Sequence, residues 1–398
     1  MNTKVLFIFL YLIKFLYCYK KIKFDNYKNK ACVSYHYWRC RMNLGENSTR
    51  ITLVLHSTMD YITYLEKQVD VWEGPISVAL VIPKPNRTKC IHNKKNKCSS
   101  YDKKNMEIFS VLNYFKKLFN TVKISLHLIY DIDKYKDCPP MVIIEEKISI
   151  NGDSLMNLYR KRLESIKKLS IGFDIYPINI ARNIGRLGKL TRLFLSGDIE
   201  NYSSNNYETK VSKLATKYLL EQKRKVVLVH RRFEYEYGYD RPTTKEELKK
   251  LYNMKKAGVF HAKFYLNAHF IIGIKDWLKT PENVDKVSIF RTLNYTSSYW
   301  EPQFVGDDRV PFHDERFPYR FKSNIHLGSL LCNLEFRFSI LNDVFTVHEG
   351  RKKNLSDSDL LTINKGKKRY GKIISQFNAE LSTKYPHMKD KCPHLYKF

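Results

Sequence analysis

The chain has 398 residues, 43% of them apolar and 14% aromatic, which is ample for a core and too long for a disulfide-stapled miniprotein. Its 70 Lys and Arg against 40 Asp and Glu give a net charge of +30, and the charged residues are scattered rather than blocked, which excludes a wholly disordered chain. A field of that sign draws nucleic acid, anionic lipid, polyanionic glycans or phosphorylated substrates.

The abundance of Lys, Asn, Ile, Tyr and Phe is also what an AT-rich coding sequence yields without any partner. No RRM, KH, zinc-finger or helix-turn-helix pattern stands out, so no nucleic-acid partner is expected.

In chain order, the first feature is VLFIFLYLIKFLYCY, residues 5–19, apolar except for Lys14. As a helix it spans about 22 Å, short of a hydrocarbon core of roughly 30 Å but workable in a thin membrane if the lysines snorkel. It reads as a targeting segment, either an uncleaved anchor or a cleaved signal peptide. The lack of a small-x-small site before Lys20 favours the anchor. Lys20, Lys21 and Lys23 outnumber Lys4, so the charge flanks alone would place the C-terminal side in the cytosol.

Cysteines and sequons point to a lumen instead. Cys32, Cys40, Cys90, Cys98, Cys138, Cys332 and Cys392 show no C-x-x-C spacing and are expected in disulfides, with Cys32–Cys40 and Cys90–Cys98 as candidate short loops. Glycosylation acceptors begin at Asn47, Asn86, Asn201, Asn294 and Asn354.

Residues 20–49 read as a short polar stem, and the folded body as residues 50–398. ITLVLHST (51–58), PISVALVIP (75–83) and KISLHLIYD (123–131) are apolar strands bounded by breakers, with a helix at helical spacing over 103–119 between the last two. A helix over 153–168, a strand at 191–198, a helix over 210–224 and a strand at 225–233 follow. Strands alternating with helices predict an α/β fold with a mainly parallel sheet, as one compact unit.

Three segments can carry chemistry. The strand at 191–195 ends in Asp198 and Glu200, where two carboxylates one residue apart can present oxygens to a divalent cation that neutralises a diphosphate; a turn or helix cap is the plainer use. Residues 299–321 mix Trp300 and four other aromatic or proline side chains with Glu301, Asp307, Asp308, Asp314 and Glu315. Aromatic faces beside carboxylates hold sugars and place a general base, and a packed loop with a solvated acidic stripe is the alternative. The third is His348 in FTVHEG, after a β-like run.

The order of these segments, with WEGPISVALVIP (72–83), YPINIARNIGR (176–186), TKEELKKLY (244–252), WEPQFVG (300–306), VPFHDERF (310–317), FSILNDVFTVHEG (338–350) and QFNAELSTKYP (376–386), resembles glycosyltransferase family 49, the family of the dystroglycan-modifying enzymes. The resemblance covers roughly residues 50–392. It implies a Golgi single-pass type II membrane protein with a GT-A-like nucleotide-sugar-binding fold, a lumenal catalytic domain and Mn²⁺ as cofactor. Such an enzyme moves glucuronic acid or N-acetylglucosamine, with inversion, from a UDP-sugar donor to a glycan acceptor on a glycoprotein.

On that resemblance Asp198 and Glu200 take the D-x-D positions, His348 adds a metal ligand, and Arg182 with Asp198 contacts the donor. Trp300 and Glu301 face the acceptor sugar, and Asp314 or Glu315 is the base. The shorter Asp314 is favoured as the more rigidly held carboxylate.

Two departures stand out. Glu200 replaces the usual second Asp, and PYRFKSNIHLG (318–328) departs from the family pattern after DERF. The Asn201 sequon beside Glu200 is expected to be unoccupied in an active enzyme. The rival function is a silent relative that binds glycan or polyanion through a lysine-rich surface; secretion after signal cleavage is the rival location.

Overall fold

The computed structural model describes residues 19–45, 48–88, 90–91, 97–98, 102–132, 137–138, 142–145, 152–351 and 357–396. The targeting segment up to Cys18 and the sequons at Asn47 and Asn354 lie outside the described residues. Among the described residues no helix is long and apolar enough to cross a membrane.

The chain forms two compact units rather than the single one expected. The first comprises Met1–Tyr37, Ile82–Asn120 and Leu128–Gly172; the second comprises Trp38–Val81, Thr121–His127 and Phe173–Phe398.

In the first unit, helices Lys103–Leu118 and Asp153–Ile166 pack on each other, with Phe115 edge-on to Tyr159 at 6.3 Å. The Asp102 carboxylate caps the first helix by accepting from the Asn105 N–H at 2.9 Å, satisfying one of the orphan donors of a helix start. Strand Tyr19–Ile22 pairs antiparallel with Val142–Glu145.

Residues 20–49 are therefore not a stem. ACVSYHYW forms strand Ala31–Trp38, and Ala31, Cys32 and Val33 are fully buried, because the apolar and aromatic residues that follow the Lys/Asn-rich turn fit a pleated surface. Cys32 bonds to Cys138 instead of Cys40, whose thiol is free and buried. Cys90 and Cys98 stand opposite each other in a two-stranded ladder.

The second unit is built on a mixed sheet whose site-bearing strands are β1 (Ile51–Thr58), β2 (Ile76–Val81), β3 (Leu193–Ser196), β4 (Asn201–Ser203), β5 (Val226–Tyr235), β6 (Phe304–Gly306) and β7 (Arg337–Glu349). Their spatial order is β4-β7-β5-β6-β3-β1-β2. Pairing is parallel for β3-β1, β1-β2 and β5-β7, and antiparallel where β6 is inserted between β3 and β5. The α/β class and the parallel centre match the expectation; the inserted β6 comes from WEPQFVG, which shows no alternation of its own.

β2 is buried at every residue, which explains its continuous apolar run. Helix α1 (Ile62–Val71) follows β1, and helix α2 (Ile178–Leu187) lies across β1 and β2. α2 approaches closely because Gly185 has no side chain: a Cβ there would stand 3.0 Å from Val54 and 3.2 Å from the Leu55 carbonyl. At its end, Gly188 fits against the buried His127 ring, where a Cβ would fall 2.0 Å from Nε2.

Gly188→Ala is expected to lower the thermal midpoint, at a cost of about 1–3 kcal/mol for overpacking. An unchanged midpoint would show that the His127 ring yields freely.

Candidate active site

The acidic pair sits at the carboxyl end of β3, where the chain turns into β4. The turn is held by backbone, since Gly197 N–H donates to the Val54 carbonyl at 3.0 Å and Asn201 N–H to the Asp198 carbonyl at 3.0 Å. Buried Gln68 of α1 donates to the carbonyls of Ile199 and Asn201 at 2.9 and 2.8 Å. A turn with its carbonyls satisfied is rigid, so the carboxylates it carries keep a fixed direction.

Asp198 is engaged on one oxygen by three donors. Oδ2 accepts from Arg232 Nη2 at 2.6 Å and from Asn201 Nδ2 and Gln303 Nε2 at 3.3 Å each. Burial works to raise its pKa, but Arg232, Arg182 and the hydrogen bond outweigh it and hold the carboxyl well below the usual range. Asn201 is itself 7% exposed, which leaves little room for a glycan at its sequon. Asn86 and Asn294 are exposed.

Glu200 faces the end of β7. The antiparallel register sets Asn201 opposite His348, and His348 Nε2 stands 3.9 Å from Glu200 Oε2. His348 Nδ1 contacts the Gly350 carbonyl at 3.1 Å, an arrangement that puts the proton on Nδ1 and leaves Nε2 as the lone pair. Burial lowers the His348 pKa, against the hydrogen bond to Gly350, so the ring is neutral. The rings of Phe260 and His261 stand edge-on to His348, and His269 packs against both of them.

The set Asp198, Glu200 and His348 does not fit a divalent cation as arranged. A buried guanidinium already holds Asp198 Oδ2 and sets a positive charge beside the pair, and among the described residues no three His, Cys, Asp or Glu side chains gather as a metal cluster.

The loop VPFHDERF is gripped by the polar face of α2. Asn179 donates to the Asp314 carbonyl at 2.8 Å, and Asn183 both donates to the His313 carbonyl and accepts from the His313 N–H at 2.9 Å. Arg186 donates to the carbonyls of Pro311, at 2.6 Å, and Val310. Arg182, buried, donates to the Ser323 carbonyl at 3.0 Å and to Asn179. Its place is therefore structural, on the wall of a cavity of about 20 Å³ that Ser196, Gln303 and His313 also line.

The two candidate bases separate. Asp314 is locked to Arg316, with Oδ2 2.7 Å from Nη2, and Arg316 reaches on to Glu380 at 2.6 Å. Burial opposes it, yet these bonds lower the Asp314 pKa, making it a poor proton acceptor. The preference for Asp314 is thus reversed. Glu315, half-buried, keeps its carboxylate on the α2 side, where Oε1 accepts from Asn183 Nδ2 at 3.0 Å.

Trp300 does not face a sugar. It is 7% exposed, stacked on Tyr295 at 5.7 Å and tilted on Phe338 at 5.2 Å, because apolar neighbours surround the indole. Glu301 stays with the site: half-buried, it is raised in pKa by burial, against the pull of Arg232 and Arg182. Arg232, Gln303, Asn179, Asn183 and Arg186 were not foreseen. Two arginines inside the apolar strand VVLVHRRFEY, and polar residues three or four apart on INIARNIGRL, were the available signals.

With this geometry in view, the chain is a glycosyltransferase by class. The family model described as "Glycosyl-transferase for dystroglycan" matches residues 50–386, and the chain belongs to that family. It is 23% identical over 354 residues to "Beta-1,4-glucuronyltransferase 1" of Danio rerio, covering 87% of this chain and 76% of that one. It is 22% identical over 381 residues to the Homo sapiens protein of the same name, covering 91% and 82%.

Among solved structures, "GalNAc-T7 with UDP, GalNAc and Mn2+" aligns at TM-score 0.39 and 10% identity over 88% of this chain and 56% of that one. S. aureus TarS 1–349 aligns at TM-score 0.33 and 9% identity over 76% and 60%.

Asn183→Ala removes three bonds to the loop and is expected to destabilise by about 2–4 kcal/mol in urea unfolding, with new protease sensitivity at 310–317. Equal stability would show that water replaces the amide.

Three histidines, His230 and His326 buried and His56 half-buried, make stability depend on pH. Burial lowers His326 from 6.5 to about 4, and His56 and His230 to about 3. The folded state binds fewer protons than the unfolded one between those values. Stability is therefore full above about pH 6.5 and falls as the pH drops toward 4, read as a falling urea midpoint. A flat midpoint across that window would contradict the assignment.

Proposed function

We propose that this chain transfers a sugar, glucuronic acid or N-acetylglucosamine, from a UDP donor to a glycan terminus with inversion. The observation that carries this reading is the family match over 50–386, which takes in the carboxylates at the end of β3, the loop gripped by α2 and the end of β7. Support for a GT-A-type donor site comes from its place beyond the carboxyl end of a parallel strand.

In this mechanism the acceptor hydroxyl attacks the anomeric carbon on the face opposite the UDP. Glu315 takes the hydroxyl proton, UDP leaves, and the buried guanidinium of Arg232 lends the strand end a positive charge that favours the leaving diphosphate. Asn183 fixes the Glu315 carboxylate, and Asp314 with Arg316 and Glu380 fixes the loop around it.

The proposed location is the Golgi lumen, with residues 5–19 as the single-pass anchor. The disulfides Cys32–Cys138 and Cys332–Cys392 support an oxidising compartment.

The test is a screen of UDP-sugars with glycan acceptors, read as UDP release. Glu315→Gln is expected to cut turnover by about 10²–10⁴-fold with UDP affinity kept, and Asp314→Asn to lower stability more than turnover. Normal turnover in Glu315→Gln with a dead Asp314→Asn would return the base to Asp314. Failure to release UDP with any donor, together with salt-sensitive glycan binding, would favour the silent relative instead.

A further inference from the structure

The Asp198–Arg232 pair has a consequence for what the site binds. The Arg232 side chain is 4% exposed and lies over the Phe260 ring at 4.0 Å, while its own carbonyl accepts from the Phe260 N–H at 3.1 Å. The guanidinium is therefore held between Phe260 and Asp198 and cannot swing to solvent. Its Nε is buried and has no hydrogen-bond partner.

The neighbouring arginine is fully assigned elsewhere. Adjacent strand residues point to opposite faces, and Arg231 donates to the carbonyls of Ile271 and Ile272 at 2.6 and 2.7 Å. Only Arg232 of the two is aimed at the acidic pair, where a break in the β5-β7 register between Val229 and Arg231 sets its direction.

We propose that Arg232 is the built-in counter-ion of Asp198, standing where a divalent cation would sit at this carboxylate, so that nucleoside diphosphate binds here without a metal. The inference rests on the UDP-donor reading above. A guanidinium is always charged and does not dissociate, so it supplies a fixed positive charge. A cation arriving at Asp198 would have to share the carboxylate with the charge-assisted bond on Oδ2 and settle beside a like charge in a partly dehydrated pocket. Arg232 is thus a positioning residue for Asp198 and for the anion above it.

The test uses the purified chain stripped with EDTA. Mn²⁺ binding is read from the electron paramagnetic resonance signal of free Mn²⁺, and UDP binding from calorimetry in EDTA and in Mn²⁺. The expected result is weak Mn²⁺ binding and UDP dissociation constants that agree within about twofold in the two buffers.

Arg232→Met, which keeps the packing on Phe260, is expected to bind Mn²⁺ at least about tenfold more tightly, and Asp198→Asn in that background to lose the gain. A merely structural arginine would not confer metal affinity when removed.

UDP binding that vanishes in EDTA and returns with Mn²⁺ overturns this proposal and leaves the donor reading intact. No UDP binding in either buffer sinks the donor reading, and tight Mn²⁺ binding by the unmodified chain sinks the counter-ion assignment by itself. Those measurements on the unmodified chain decide the matter whether or not Arg232→Met folds.

Discussion

The irregular loop at 310–323 is held in place by one face of one helix. Loop carbonyls withdrawn from water must find donors, and the side chains at 179, 182, 183 and 186 of α2 supply them to Val310, Pro311, His313, Asp314 and Ser323. The opposite face of the same helix, with Gly185, lies against β1 and β2. The helix is therefore a rigid spacer: sheet on one side, loop on the other. The relation between Glu315 and the strand-end carboxylates inherits its stiffness from this bridge.

The buried arginines at the site share a design that the net charge of +30 hides. Arg182, Arg186 and Arg231 are each spent on backbone carbonyls, and Arg232 on a carboxylate. Planar guanidinium suits such work, because its several N–H groups reach two carbonyls at once. Exposed lysines, by contrast, pair loosely; Lys225 with Glu335 is a pair of side chains more than half exposed, worth little to stability. The charge that shapes the site belongs to a few arginines, whereas the bulk of the +30 is surface lysine.

Much of the scaffold was legible in the sequence because its period was clean. ITLVLHST, ISVALV and the run from 226 read as strands and are strands, and the helix expected at 103–119 ends one residue earlier, at Leu118. The strand-end position of Asp198 and Glu200 was equally plain. What escaped was whatever depends on partners distant in sequence. Trp300 looked like a sugar platform until Tyr295 and Phe338 were seen to enclose it. Asp314 was favoured as the shorter carboxylate, and Glu380, holding Arg316 from 64 residues away, turns the choice to Glu315. Residues 20–49 misled for another reason: their Lys and Asn mask an eight-residue strand that is buried on both faces over its first half.

The threading of the two units fixes an order of assembly. The first unit draws on three separated stretches and closes only when residue 172 has been made. The second begins at residue 38 and still awaits its tail, since Cys392 must reach Cys332 to form their bond. During synthesis the strand β1 emerges long before β3 exists to border it on the side away from β2. That side of β1 thus spends time as an open apolar edge, and contacts this distant along the chain are slow to form. The sheet that carries the acidic pair is a late product of translation, and in a growing chain the pair itself precedes most of the walls that confine it.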